Sequence, residues 1–167
     1  MGERIAVYPG SFDPITNGHL DLVERCHQLF EKVVVAILEN PVKQPTFPLE
    51  ERLAAARQAV IGLPNVSVDT FHGLLVDYIH RQKARVIIRG LRAVSDFESE
   101  LQMAMMNRRL DSRVETVFLM PSETYSYLSS HLVREVASLG GDVTGLVPTV
   151  VREMLSRRYG SSGKQER

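Results

Sequence analysis

Cysteine occurs once in this chain, as Cys26. That excludes an intramolecular disulfide and a cysteine-based zinc site. Neither sign of charge is in excess, because 20 Lys and Arg balance 20 Asp and Glu. General nucleic-acid binders carry a basic surplus, so no nucleic-acid partner is expected, although a local basic patch is compatible with the balance. No apolar run reaches the roughly 18 residues of a membrane span, and no membrane partner is expected. The first residues do not read as a signal peptide: Glu3 and Arg4 precede a short apolar run that stops at Pro9. The expected location is the reducing cytoplasm. Two phosphate-binding signatures are also missing, G-x-G-x-x-G and G-x-x-x-x-G-K-[ST]. A nucleotide phosphate would need a different cradle here.

What is present reads as an ordinary globular chain, 44% hydrophobic and 24% charged. Its 167 residues suit one domain, since a second would leave each core too small. We expect that domain to span residues 1–159, with a small polar, disordered tail over 160–167. Five short apolar runs read as strands: residues 4–8, 33–38, 66–68, 86–88 (ending at Arg89-Gly90) and 116–119. The continuous β-branched run at 33–38 fits a strand buried on both faces. Helical spacing separates the strands. Residues 18–30 place Leu22, Cys26 and Leu29 on one face, with Val23 and Phe30 beside them. Leu49, Leu53, Ala56 and Val60 mark a second helix, and Leu75, Tyr78 and Ile79 a third. Phe97, Leu101, Ala104 and Met105 mark a long fourth helix with Ser95 or Asp96 as its cap. Two more close the chain, near 132–137 and 148–158. The alternation predicts an α/β, Rossmann-like fold: a five-stranded parallel sheet with helices on both faces and C-terminal helices. In such sheets ligands bind beyond the carboxyl ends of the strands.

The first strand exit reads Pro9-Gly10-Ser11-Phe12-Asp13-Pro14-Ile15-Thr16-Asn17-Gly18-His19. Gly10, with no Cβ, is expected to let a ligand approach the backbone. Thr16 or Asn17 can cap the next helix, which puts His19 in the first turn, where free N–H groups favour phosphate. Most isolated histidines have no role, but here turn, cap and strand exit coincide. The fourth exit holds Arg89 and Arg92 around Gly90 and Leu91, offering planar donor forks for phosphate oxygens. Lys43 lies in the proline-rich loop after the second strand. After the fifth strand, Ser129 or Ser130 can cap the following helix and hold outer phosphates. Arg108 and Arg109 read as exposed cations near a helix C-terminus. Met103, Met105 and Met106 read as core or subunit-contact residues. His27, His72 and His80 read as structural.

These residues carry a resemblance. Residues 9–19, with Thr16-Asn17-Gly18-His19 in place of H-x-G-H, resemble the signature of the nucleotidyltransferase superfamily that includes class I aminoacyl-tRNA synthetase domains. Ser129-Ser130 is similar to its second, serine-rich motif. Within the superfamily, the first motif, the segment from Ile88 to Glu98 and the run Val117-Phe118-Leu119-Met120-Pro121 most resemble the bacterial phosphopantetheine adenylyltransferase family. The match runs over residues 4–159.

The resemblance implies transfer of the adenylyl group of ATP to 4′-phosphopantetheine, giving dephospho-coenzyme A and pyrophosphate, the penultimate step of coenzyme A synthesis. It implies that His19 stabilises charge at the α-phosphate and that Ser11 and Phe12 meet the phosphates. Arg92 would assist the triphosphate, with Gly90 and Leu91 near the nucleotide and Glu100 contacting ATP. Tyr125, Ser126, Tyr127, Leu128, Ser129, Ser130 and His131 would form the adenine and outer-phosphate side. Lys43 and Arg89, with Ser11, would hold the acceptor phosphate, and Leu75 would line the pantetheine channel. His131 replaces a frequent serine, so a backbone contact there would survive and a hydroxyl contact would not. No carboxylate cluster has metal-ligand spacing, so Mg²⁺ is expected to arrive with ATP rather than on protein side chains. The family also implies a homohexamer and feedback binding of coenzyme A. The rival readings are a related nucleotidyltransferase with another acceptor, such as a nicotinamide mononucleotide or glycerol-phosphate enzyme, a nucleotide-binding module without catalysis, and a flavodoxin-like protein.

Overall fold

A computed structural model describes residues 4–40, 44–92 and 94–160. The strands are β1 (Ile5–Gly10), β2 (Lys32–Leu38), β3 (Val66–Phe71), β4 (Val86–Gly90) and β5 (Glu115–Leu119). They form one parallel sheet in the order β3-β2-β1-β4-β5. The helices are α1 (Asn17–Leu29), α2 (Leu49–Ala59), α3 (Leu75–Arg81), α4 (Val94–Leu110), α5 (Ser130–Ser138) and α6 (Thr149–Tyr159), with a 3₁₀ turn at Glu123–Tyr125. The α/β sheet expected from the alternation is the fold observed.

Burial explains why the strands are short and apolar. Val33, Val34, Val35, Ala36 and Ile37 of β2 are all buried, as a central parallel strand requires. Successive side chains of β1 leave on opposite faces. Ala6 and Tyr8 join one core with residues of α1, α2, α5 and α6. Ile5 and Val7 join a second core with Tyr78 and Ile79 of α3. Helices therefore cover both faces. The chain moves outward from β1 through β2 to β3, then returns past β1 to β4. Connections after β1 and β4 diverge, which opens a crevice beyond their carboxyl ends.

Three local expectations change. Leu29 is 56% exposed, because α1 ends there and its buried stripe is Leu22, Val23 and Cys26. Helix α4 begins at Val94, ahead of both residues expected to cap it, so Asp96 sits inside the first turn. Met103, Met105 and Met106 are exposed, which removes the core half of their reading and leaves the subunit-contact half, since α4 carries apolar residues around its circumference and only part of it meets the sheet. No described helix is long and apolar enough to cross a membrane.

The loops at the sheet's carboxyl edge are held by buried polar groups. Arg52 of α2 is 4% exposed and donates to the carbonyls of Phe47 (3.1 Å) and Ser11 (2.7 Å). The Asp13 carboxylate accepts from the backbone N–H of Thr46 (2.8 Å) and Phe47 (2.9 Å). These bonds tie the β1 exit to the segment that enters α2. Arg52→Leu should cost about 2–3 kcal/mol of unfolding free energy, because it strands two carbonyls in a site with little water. Urea denaturation of the variant checks this, and a loss below about 0.5 kcal/mol would contradict it.

Candidate active site

The β1 exit turns sharply at Phe12, whose φ of 44° lies in the left-handed region that disfavours a side chain. What holds it there is packing. The Phe12 ring meets Tyr8 edge-on at 5.3 Å and His19 at 5.1 Å between centroids. A Cβ on Gly10 would lie 3.0 Å from that ring. The missing side chain of Gly10 thus makes room for the Phe12 ring, and Gly10 also lines both cavities that meet at this site.

Thr16 caps α1, and the cap is reciprocal. Its hydroxyl oxygen accepts from the His19 backbone N–H, while its own N–H donates to Nδ1 of His19 at 3.0 Å. Because Nδ1 accepts, the single proton of the neutral ring lies on Nε2. Burial of the ring, with added repulsion from Arg92 and Arg89, lowers the His19 pKa to about 4. At neutral pH His19 is an uncharged donor fixed in one tautomer.

The β4 exit brings the arginines. Arg89 forms a two-pronged pair with Glu100, Nε to Oε2 at 2.6 Å and Nη2 to Oε1 at 2.5 Å, and donates to the Pro9 carbonyl at 2.8 Å. Burial opposes its charge, but the Glu100 hydrogen bond and charge outweigh this and raise its pKa. Two of its five N–H groups stay uncommitted. Arg92 pairs with Asp96 at 3.2 Å and donates to the Leu128 carbonyl. Ser129 caps α5 through Leu132 N–H, and the Ser130 hydroxyl donates to the Pro14 carbonyl at 2.7 Å. Arg134 of α5 donates to the Asp13 carbonyl and lies 3.8 Å from its carboxylate.

Two cavities meet here. The first, about 390 Å³, is walled by Ser11, Phe12, His19, Gly90, Arg92, Tyr125, Leu128, Ser129, Ser130 and His131, among others. The second, about 690 Å³, runs beside it past Leu38, Phe71, Leu75, Met103 and Met106. Both include Pro9, Gly10, Ser11, Arg89, Glu100 and Arg134 in their walls. Of the residues singled out from the sequence, Leu91, Ser126 and Tyr127 lie off both walls. Tyr127 points to solvent and the Ser126 hydroxyl turns back to the Glu123 carbonyl. The His131 side chain is largely exposed and faces Glu135 at 4.0 Å. Lys43 falls outside the described residues.

Comparison with known proteins places this arrangement. A cytidylyltransferase-like family model matches residues 7–136. A phosphopantetheine adenylyltransferase from Alkalilimnicola ehrlichii is 57% identical over 157 residues, covering 93% of this chain and 90% of that protein. One from Alkaliphilus metalliredigens is 53% identical, covering 93% and 99%. The chain belongs to the phosphopantetheine adenylyltransferase family. Among solved structures, a proposed nicotinate-nucleotide adenylyltransferase from Vibrio parahaemolyticus superposes with a TM-score of 0.64 over 94% of this chain and 93% of that one. At 16% identity, that likeness is one of fold alone.

Within this family member, several wall residues had no assigned part in the sequence reading. Arg134 and Tyr8 line the first cavity, and the buried Asn107 lines the second. Arg134 stands five residues past Ser129, and helical spacing from that cap could have placed it near the β1 exit. Tyr8 and Asn107 look like ordinary strand and helix residues, so nothing local marked them.

The neutral state of His19 predicts a pH effect on stability. Between about 4 and the ordinary 6.5, the unfolded chain binds a proton that the folded chain refuses. This contribution is fully present above 6.5 and is lost as pH falls toward 4. His19→Gln preserves the reciprocal cap, because glutamine at that position can accept from the Thr16 N–H. Its unfolding free energy should fall less than the parent's over that window. Parallel slopes in pH-resolved denaturation would refute the assignment.

Proposed function

We propose that this chain transfers the adenylyl group of ATP, reversibly, to 4′-phosphopantetheine, giving 3′-dephospho-coenzyme A and pyrophosphate. The observation that carries the reading is the junction of two cavities at Ser11, Arg89, Glu100 and Arg134. One cavity has donors for a triphosphate in His19, Arg92 and Ser129. The other is larger and more apolar, with Leu75 in its wall, and suits a pantetheine arm whose phosphate ends at the junction. Relatives named for this reaction, at more than half identity, support it.

A phosphate oxygen of the acceptor attacks the α-phosphorus, a new P–O bond forms, and the bond to the β-phosphate breaks to release pyrophosphate. With a second ionisation near pH 6, the acceptor is largely a dianion at neutral pH and needs no protein base. Catalysis is then positioning and charge stabilisation. The Nε2–H of His19 donates to an α-phosphate oxygen as charge builds there. Arg92 and the hydroxyl of Ser129 hold the outer phosphates, while the free N–H groups of Arg89, with Lys43 and Ser11, hold the acceptor phosphate.

Mg²⁺ belongs to this reading as part of the nucleotide. The wall carboxylates Glu100 and Asp96 are each paired with an arginine, which fits a metal carried by phosphate oxygens. When bound it neutralises charge on the departing pyrophosphate. Coenzyme A, which shares the pantetheine arm, should compete for the second cavity. The exposed apolar side chains of α4 fit assembly into a homohexamer, and the reaction would run in the cytoplasm.

Mass spectrometry of ATP, Mg²⁺ and 4′-phosphopantetheine incubated with the protein should show dephospho-coenzyme A. Product only from another phosphorylated acceptor would overturn the substrate assignment. His19→Gln should lower kcat by about 10²–10³, as for loss of one transition-state donor. The acid limb of the parent profile, near pH 6, should persist in that variant because it belongs to the acceptor phosphate. If the limb vanished, His19 would be titrating in catalysis instead. Arg89→Ala should weaken acceptor binding by about 10- to 100-fold in calorimetric titration, the worth of hydrogen bonds to a charged group.

A further inference from the structure

Asn107 of α4 is 6% exposed, whereas Met103 and Met106 of the same helix are more than half exposed. A buried position on a helix is usually apolar. Among the described residues, the Asn107 side-chain amide has no hydrogen-bond partner, while every fully enclosed side-chain polar atom does have one. Its amide atoms therefore open onto the second cavity, whose wall Asn107 joins. A buried amide with donor and acceptor both unused is costly unless the occupant of the cavity supplies partners.

The position of Asn107 says what kind of group would do so. Glu100, Met103, Ala104 and Asn107 all line that cavity, and their i, i+3, i+4, i+7 spacing puts them on one face of α4. The cavity thus runs along the helix. Glu100 marks the junction end, where it holds Arg89. Asn107 lies seven residues on, roughly 10 Å down the axis. The charged wall residues Asp13, Arg52, Arg89, Glu100 and Arg134 are hydrogen-bonded to one another or to backbone groups around the sheet's carboxyl edge. Of the uncharged polar ones, Ser11, Asn40 and Gln44 belong to segments leaving that edge, while Thr116 lies in the first half of β5. The part of a ligand that reaches Asn107 has therefore left the charges behind. A carboxamide presents a donor and an acceptor in one plane, and its best match is another amide.

We infer that the Asn107 side chain hydrogen-bonds an amide of the acceptor's arm, a specificity-determining contact that selects an amide-bearing acceptor. The inference rests on the reading that the second cavity takes the pantetheine arm. That arm is three pieces joined by two amides. An extended amide-linked unit covers roughly 3.5 Å, so an arm anchored by its phosphate at the junction carries an amide alongside Asn107. Apolar walls with a few placed polar groups fix the orientation of such a ligand.

The test is calorimetric titration of the parent and Asn107→Leu with three ligands: 4′-phosphopantetheine, an analogue with esters in place of its amides, and ATP. Leucine keeps the size of the side chain and removes its polar atoms. 4′-Phosphopantetheine should bind the variant about five- to thirtyfold more weakly, the range of one or two neutral hydrogen bonds. The change from amides to esters should weaken binding to the parent more than to the variant, because the variant has no partner for the amide. ATP should bind both proteins alike, since Asn107 is not in the wall of the first cavity, and this shows that the variant is folded. Three results would each overturn the inference and leave the proposed acceptor in place: 4′-phosphopantetheine affinity within twofold of the parent, an equal loss for ATP, or the same ester penalty in both proteins. A parent that binds ATP but not 4′-phosphopantetheine would overturn the proposed acceptor and the inference with it.

Discussion

The hydrogen bond from the Thr16 N–H to Nδ1 of His19 fixes more of this site than any other single contact. Helix α1 needs its first N–H groups satisfied, and the reciprocal cap does this with a ring instead of the glutamate or glutamine common at that position. The ring can accept only while Nδ1 is bare. Burial and the nearby Arg92 and Arg89 keep it so. The proton must then sit on Nε2, at the start of a helix whose free N–H groups already favour an anion. Helix capping and the chemistry of the cavity are one requirement on one side chain. A protonated ring would lose the cap and the tautomer together.

A second constraint runs around the sheet's carboxyl edge. Four arginines each donate to a carbonyl at this edge, Arg89 to Pro9 at the end of β1 and the others to irregular segments: Arg52 to Ser11, Arg92 to Leu128 and Arg134 to Asp13. Loops that leave a buried sheet carry carbonyls that no ladder satisfies. Using guanidinium groups for this role fills those acceptors and gathers positive charge at the crevice in the same step. A chain with no net charge can therefore gather several guanidinium groups, most of them paired with carboxylates, around one crevice. Composition excluded a broadly basic surface and had no bearing on this local arrangement.

That contrast explains what the sequence made legible. The strands could be read because burial on both faces demands unbroken apolar runs, as at Val33 to Ile37. The Thr16 to His19 cap could be read because capping is local. Where partners come from distant segments, reading failed. Arg52 resembles any arginine of a helix, and its carbonyl partners lie 5 and 41 residues away. The methionines of α4 could belong to a core or to a subunit contact, and local spacing does not separate the two; in this chain they are exposed.

The pairing of Arg89 with Glu100 sets the tone of the cavity junction. An unpaired guanidinium in so enclosed a place would be costly, and it would also hold any phosphate tightly in the ground state. Glu100 occupies two of its N–H groups and Pro9 a third, so an arriving phosphate meets a preset fork with two donors free. On the proposed reading, the carboxylate would lower the pull on a resting acceptor phosphate while the guanidinium stays fixed in place. In the proposed reaction charge would leave the attacking phosphate as the new bond forms, so a modest hold on the resting acceptor avoids stabilising the bound substrate over the transition state. A site built this way would gain more from orientation than from raw charge, which is what the proposed reaction between two mutually repelling phosphates would require.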